Sequence, residues 1–239
     1  MLIDEAELSP KDTVVEVGAG LGFVTAALAL RAGKVVAIEK DRTLAKHLER
    51  KFSSNHNVQI IQGDALTVPI PTNATVVSSP PYNISSKLVL RILSSKFRLA
   101  SLLLQEDFVK RLTASSGSRD YGRLTVMLQT RARAEYVSKV PRSAFYPEPR
   151  VDSAITTIRP TAQTQVMKDG RIFEDLVRAL FTQRRRKAQS VLSRYLEANF
   201  RNRKDEILNR AGLGDKRIHE LTPIEFVRLS NLIADSVKD

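Results

Sequence analysis

The stretch Lys11-Asp-Thr-Val-Val-Glu-Val-Gly-Ala-Gly-Leu-Gly-Phe-Val-Thr25 decides the fold. Val14 to Val17 is a short apolar run of the kind that forms a buried strand. Gly18, Gly20 and Gly22 then make a turn whose backbone a ligand can approach closely, and a helix begins near Phe23. Working outward, Lys34-Val-Val-Ala-Ile38 is a second strand run, and it ends in Glu39, 21 residues after Gly18. A strand, a glycine turn, a helix and an acid closing the next strand form the nucleotide-cradling unit of doubly wound α/β folds, in which the acid accepts hydrogen bonds from ribose hydroxyls. Dehydrogenases use nearly the same device, so the unit by itself leaves the chemistry open.

The third and fourth strand ends discriminate. A third apolar run, Val58 to Gln62, leads into Gly63-Asp64-Ala65, where an acid can accept from an adenine amino group. Three successive strand ends could thus hold the methionyl, ribose and adenine parts of one ligand. A fourth run leads into Val76-Val-Ser-Ser-Pro-Pro-Tyr-Asn-Ile-Ser-Ser86. Within it, the prolines of Ser79-Pro80-Pro81-Tyr82 fix φ and carry no N–H, so the Pro80 carbonyl can face outward as an acceptor at little entropic cost. Tyr82 adds a face on which a base can stack. Pro-Pro-Tyr taken alone reads more readily as a loop that ends a strand. After the three preceding strand ends it suits a planar base with an exocyclic amine, and the order resembles S-adenosylmethionine-dependent amino-methyltransferases. A hydride-transfer enzyme would have no use for the fourth element.

Six blocks in order widen the resemblance to nearly the whole chain: Glu16-Val-Gly-Ala-Gly-Leu-Gly22, Gly63-Asp-Ala65, Pro81-Tyr-Asn-Ile-Ser-Ser86, Gln105-Glu-Asp-Phe-Val-Lys-Arg-Leu112, Asp120-Tyr-Gly-Arg-Leu-Thr125 and Phe145-Tyr-Pro-Glu-Pro-Arg-Val-Asp-Ser153. Together they resemble the ribosomal RNA adenine N6-dimethyltransferases, which place two methyl groups on each of two adjacent adenines near the 3′ end of small-subunit rRNA. The resemblance implies S-adenosylmethionine as cofactor and a small-subunit rRNA or pre-ribosomal small subunit as partner. It also implies roles by position. Gly18, Ala19 and Gly20 approach the methyl donor, Glu39 holds its ribose, Gly63, Asp64 and Ala65 surround its adenine, and Glu16 orients its methionine end. Ser79, Pro80 and Tyr82 meet the target base, with Ser79 also facing the donor. Phe145 contacts the base from another side, and its competing reading is an aromatic packed in the core ahead of a proline.

Two departures bear on these roles. The family's catalytic tetrapeptide usually begins with Asn, whose side-chain oxygen accepts one N6 hydrogen while a backbone carbonyl accepts the other, aiming the nitrogen lone pair at the methyl group. Here the position is Ser79, which can also accept but is shorter and more mobile, and serine-first versions are typical of enzymes acting on the cytosine N4 amine. Family members also carry a further N-terminal segment that closes over the donor, whereas Met1-Leu-Ile-Asp matches the helix that follows it. Weakened donor binding or a truncated chain is the expectation there. The alternatives kept open are therefore a related RNA methyltransferase acting on cytosine N4 or a large-subunit adenine, and a non-catalytic RNA-binding assembly factor.

Composition agrees with an RNA partner. The 239 residues carry a formal charge of +12 and a pI near 10.1, which favours a polyanion because bound lysines and arginines release its condensed counterions. The excess is spread along the chain, with 22 basic against 15 acidic side chains over 1–160 and 16 against 11 over 161–239. With no cysteine, disulfides and thiolate zinc sites are excluded, and His47, His56 and His219 are scattered as surface residues rather than metal ligands. No apolar run has the length of a membrane span and no signal pattern is visible, so a cytoplasmic, monomeric enzyme without a membrane partner is expected.

Ala100 to Gln105 reads as a fifth strand followed by a helix from Glu106 to Thr113, and Ser115 to Asp120 as an exposed loop near the RNA. Arg131 to Val140 and Ala154 to Arg159 close the sheet of an α/β, doubly wound, Rossmann-like catalytic domain over 1–160. Thr161 to Gly170 is linker-like. Helical spacing of Phe173, Leu176, Val177, Leu180 and Phe181 then predicts a small all-helical RNA-binding domain over 161–239. Thr222-Pro-Ile-Glu225 supplies a helix start. Gln183-Arg184-Arg185-Arg186-Lys187, between two of these helices, is the densest basic run; it is either a solvated helix end or, as the overall charge favours, a set of phosphate contacts.

Overall fold

The computed structural model describes residues 1–161 and 166–238, in two compact units: 1–110 with 132–161, and 111–131 with 166–238. The part of the expected linker at 162–165 lies outside the described residues.

The first unit is a seven-stranded sheet. Its strands are β1 (Thr13–Val17), β2 (Lys34–Glu39), β3 (Val58–Gln62), β4 (Thr75–Ser78), β5 (Leu99–Gln105), β6 (Ala132–Val140) and β7 (Ser153–Pro160), in spatial order β3-β2-β1-β4-β5-β7-β6. β1 to β5 run parallel, and β7 enters antiparallel between β5 and β6. The central strands read as unbroken apolar runs because a doubly wound sheet is covered on both faces; Val14, Val15, Val35, Val76, Val77, Leu99 and Leu102 are wholly buried. Helices α1 (Phe23–Ala29), α2 (Arg42–Lys51) and α3 (Ser85–Leu93) carry the crossovers, and α4 (Glu106–Leu112) follows β5. Asp41 starts α2 by accepting from the Thr43 and Leu44 N–H groups at 2.8 and 2.9 Å.

The strand order reverses between β1 and β4, since the chain runs outward through β2 and β3 before returning to the far side of β1. Such a switch point opens a crevice at the carboxyl ends of the strands, where α/β proteins bind ligands. Ser78 ties the two central strands beneath it, its hydroxyl donating to the Val17 carbonyl at 2.8 Å.

The second unit is helical. It holds α5 (Arg123–Gln129), α6 (Gly170–Phe181), α7 (Ala188–Asn199), α8 (Lys204–Ala211) and α9 (Pro223–Lys238). Phe173, Leu176, Val177 and Leu180 of α6 are buried, as their helical spacing requires. α9 begins with the expected capping box: the Thr222 hydroxyl accepts from the Glu225 N–H at 3.3 Å, and the Glu225 carboxylate accepts from the Thr222 N–H at 2.9 Å. Although α5 lies between strands of the first unit in sequence, it belongs here. Tyr121 just ahead of it is wholly buried and donates its hydroxyl to the Leu221 carbonyl at 2.8 Å. Burial holds that phenol well above its ordinary pKa.

Candidate active site

A cleft of about 920 Å³ lies at the switch point. It gathers Gly18 and Gly20 after β1, Glu39 and Lys40 at the end of β2, Gly63 to Ala65 after β3, Ser79 to Ile84 after β4, and Phe145, Tyr146, Pro147 and Pro149 from the loop before β7. Segments as far apart in sequence as Gly18 and Phe145 thus face one cavity.

The glycine turn is shaped for close approach. Gly18 and Gly20 sit at φ +75° and +56°, a region L side chains rarely adopt, and a Cβ at either would meet no atom within 4 Å. The backbone there is therefore bare toward open space. Glu39 is almost fully buried, and its two carboxylate oxygens accept from the Gly20 and Asp41 N–H groups at 2.9 Å each. This fixes the carboxylate and leaves its remaining lone pairs for a donor in the cleft, such as a ribose hydroxyl. Asp64 accepts from the Leu66 N–H at 2.9 Å and from Lys40 Nζ at 3.0 Å; with the Leu66 bond first, these hold its carboxyl below the usual range. Lys40 was not singled out from the sequence, where it is one exposed lysine among many.

Glu16 and Ala19 stand behind the cleft rather than in its lining. Ala19 is buried, and Glu16 accepts from the Thr25 hydroxyl at 2.6 Å in the interior. Burial pushes the Glu16 carboxyl up to about 7, against the Thr25 bonds and assisted by the charge of Glu39.

At the fourth strand end, Ser79 is exposed, Pro80 buried and Tyr82 half-buried. Tyr82 is oriented by a hydrogen bond of 2.8 Å between its hydroxyl and that of Ser153, the first residue of β7 and itself wholly buried. Phe145 is half-buried and faces the cleft. Ser79 and Pro80, two aromatic residues and an acid-lined glycine turn thus line one cavity, an arrangement able to hold a nucleotide-like donor beside a planar base. The residues present fit S-adenosylmethionine.

The basic run lies in the helical unit, between α6 and α7. Arg184 is half-buried and donates to the Arg119 and Ser118 carbonyls at 3.0 and 3.2 Å. Arg185, Arg186 and Lys187 are exposed, with Lys187 Nζ 2.7 Å from Asp215. His219 is half-buried, with Nδ1 3.0 Å from the Arg184 carbonyl, while His47 and His56 are exposed. Among the described residues no helix is long and apolar enough to cross a membrane.

Comparison with known proteins places the chain. The family model described as ribosomal RNA adenine dimethylase matches residues 1–235. The chain is 40% identical to a probable ribosomal RNA small subunit methyltransferase A of Thermococcus onnurineus, over 97% of this chain and 88% of that protein. A protein of the same description from Methanosarcina acetivorans is 39% identical over 98% and 88%. Among solved structures, a dimethyladenosine transferase from Plasmodium falciparum superposes with a TM-score of 0.85 at 26% identity, over 95% of this chain and 92% of that one. The 23S rRNA methyltransferase ErmE does so with a TM-score of 0.72 at 33% identity, over 98% and 95%.

Proposed function

The chain belongs to the ribosomal RNA adenine dimethylase family, and from that premise we propose that it transfers methyl groups from S-adenosylmethionine to the N6 amines of two adjacent adenines near the 3′ end of small-subunit rRNA. The observation that carries this reading is the single cleft in which the glycine turn, Glu39 and Asp64 meet Ser79 to Tyr82 and Phe145.

When bound, the cofactor supplies an electrophilic methyl group on a sulfonium. The chain's own residues do the rest. Gly18 and Gly20 leave room for the donor, Glu39 accepts from its ribose, Asp64 from its adenine amine, and Glu16, behind the turn, orients the methionine end through the backbone it supports. Tyr82 and Phe145 hold the extruded target base, in place of the stacking it leaves behind in the RNA. The Ser79 hydroxyl and the Pro80 carbonyl each accept one N6 hydrogen, which turns the nitrogen lone pair toward the methyl group. Arg185, Arg186 and Lys187 of the helical unit position the rRNA through its phosphates, while Arg184, the first of the four, is held by the Ser118 and Arg119 carbonyls and shapes the segment that presents them. On this reading the enzyme works in the cytoplasm, as a monomer, on the pre-ribosomal small subunit.

Kinetics on an rRNA substrate test the assignment of the base site. Ser79→Ala should lower the methylation rate roughly ten- to a hundredfold, the equivalent of about 1–3 kcal/mol, with little change in RNA affinity, because the lost interaction belongs mainly to the transition state. Tyr82→Ala should be slower still, and Ser79→Asn should preserve or raise the rate. A folded Ser79→Ala protein of full activity would remove Ser79 from the mechanism.

A further inference from the structure

The loop from Pro141 to Asp152 has two working faces. Phe145, Tyr146, Pro147 and Pro149 line the active-site cleft, whereas Arg142, Arg150, Val151 and Asp152 line a second cleft of about 320 Å³ completed by Gln105, Glu106 and Asp107. On the first face Phe145 is half-buried, but Tyr146 beside it is 101% exposed, an aromatic ring held wholly in water at the rim of the site. On the second face the charges are mostly matched. Asp152 accepts from Lys139 Nζ at 2.6 Å and from the Arg142 N–H at 2.9 Å, Glu106 takes Lys110 and Lys139 at 3.0 and 3.3 Å, and Arg142 Nε reaches Glu148 at 2.9 Å. Arg150 is exposed and has no ion pair among the described residues.

The uncommitted groups on this loop are therefore one aromatic face and one guanidinium, four residues apart. Those are the two chemistries that unpaired RNA asks for: a ring to stack a base on without regard to its identity, and a fixed cation for the adjoining phosphate. Extruding one adenine also strips its neighbour of a stacking partner. We propose that the loop forms a second nucleotide subsite, in which Tyr146 stacks on the base adjacent to the target adenine and Arg150 takes that nucleotide's phosphate. The inference rests on the proposed adenine methylation and adds what holds the neighbouring nucleotide in place during it.

The test uses the full chain and an rRNA hairpin carrying the two adenines, with abasic versions lacking the base on the 5′ or the 3′ side of the methylated one. Tyr146→Ala should bind the intact hairpin roughly five- to a hundredfold more weakly, while Tyr146→Phe stays near the unmodified protein. One of the two abasic substrates should bind the unmodified protein more weakly, and that penalty should vanish in Tyr146→Ala, since the pair then has nothing left to lose. Arg150→Ala should make the slope of log affinity against log salt shallower by about one. Donor affinity, read by calorimetry, should be unchanged in all three variants. Abasic penalties that keep their full size in Tyr146→Ala would overturn the subsite. An unmodified protein that methylates no adenine would instead remove the reading on which it rests, so the two failures are distinct.

Discussion

Glu16 shows how one residue joins stability to the site. It is the next-to-last residue of β1, ahead of the glycine turn, buried, with Thr25 at 2.6 Å as its hydrogen-bond donor, and burial raises its carboxyl from an ordinary 4.5 to about 7. Between those two values the folded chain keeps a proton that the unfolded chain has lost. Stability from this group is therefore full below about 4.5 and falls as the pH rises, until the loss is complete above about 7. Glu16→Gln keeps an oxygen for Thr25 and removes the ionisation, so it should escape a decline on the order of 2–3 kcal/mol that the unmodified protein suffers between pH 4.5 and 8. Denaturant unfolding at several pH values measures this, and parallel curves for the two proteins would contradict it. An acid ahead of a glycine turn is visible in the sequence. That its side chain lies behind the turn is decided by Thr25 on α1, a packing relation that spacing along the chain does not reveal.

At the scale of elements, the segment between α6 and α7 divides its cations between two tasks. Arg184 joins the helical unit to its own 115–120 loop through two carbonyls, and its Nε is buried without a partner among the described residues. Removing it should lower stability by about 1 kcal/mol, because two hydrogen bonds from a charged group are lost while the Ser118 and Arg119 carbonyls, on exposed residues, turn to water. Arg185 and Arg186 point to solvent, and replacing both with Ala should leave the melting temperature near its original value while weakening rRNA binding and flattening its salt dependence by about two. An unchanged salt slope in the double variant would return these two to the role of a solvated helix end. The strands were legible because buried parallel strands leave short apolar runs, and β3 begins and ends where the sequence places it. The distinction within Gln183 to Lys187 was not. Four cations in a row look alike until the Ser118 and Arg119 carbonyls are set against one of them.

For the molecule as a whole, the α/β architecture and the resemblance to the family could be read from ordered motifs, and the comparisons support both; the helices of the C-terminal region could be read from apolar spacing. Three features needed the third dimension. One is α5, whose residues belong with the helical unit although they interrupt the sheet's strands in sequence. Another is the exposure of Tyr146, since an aromatic between Phe145 and Pro147 reads in sequence as one more loop hydrophobe. The third is the convergence itself, because only the strand order brings the ends of β1, β2, β3 and β4 to one cleft. The central claim is that this cleft delivers methyl groups to adenine N6 in small-subunit rRNA, and nucleoside analysis tests it most directly. Undermethylated small subunits and free large-subunit rRNA are incubated separately with the protein and isotopically labelled S-adenosylmethionine, and the recovered nucleosides are resolved. The account predicts label in N6,N6-dimethyladenosine from the small subunit, at two adjacent positions, and little from the large-subunit RNA. Label in N4-methylcytosine, label confined to large-subunit adenine, or no transfer by a folded protein that binds both ligands would contradict it.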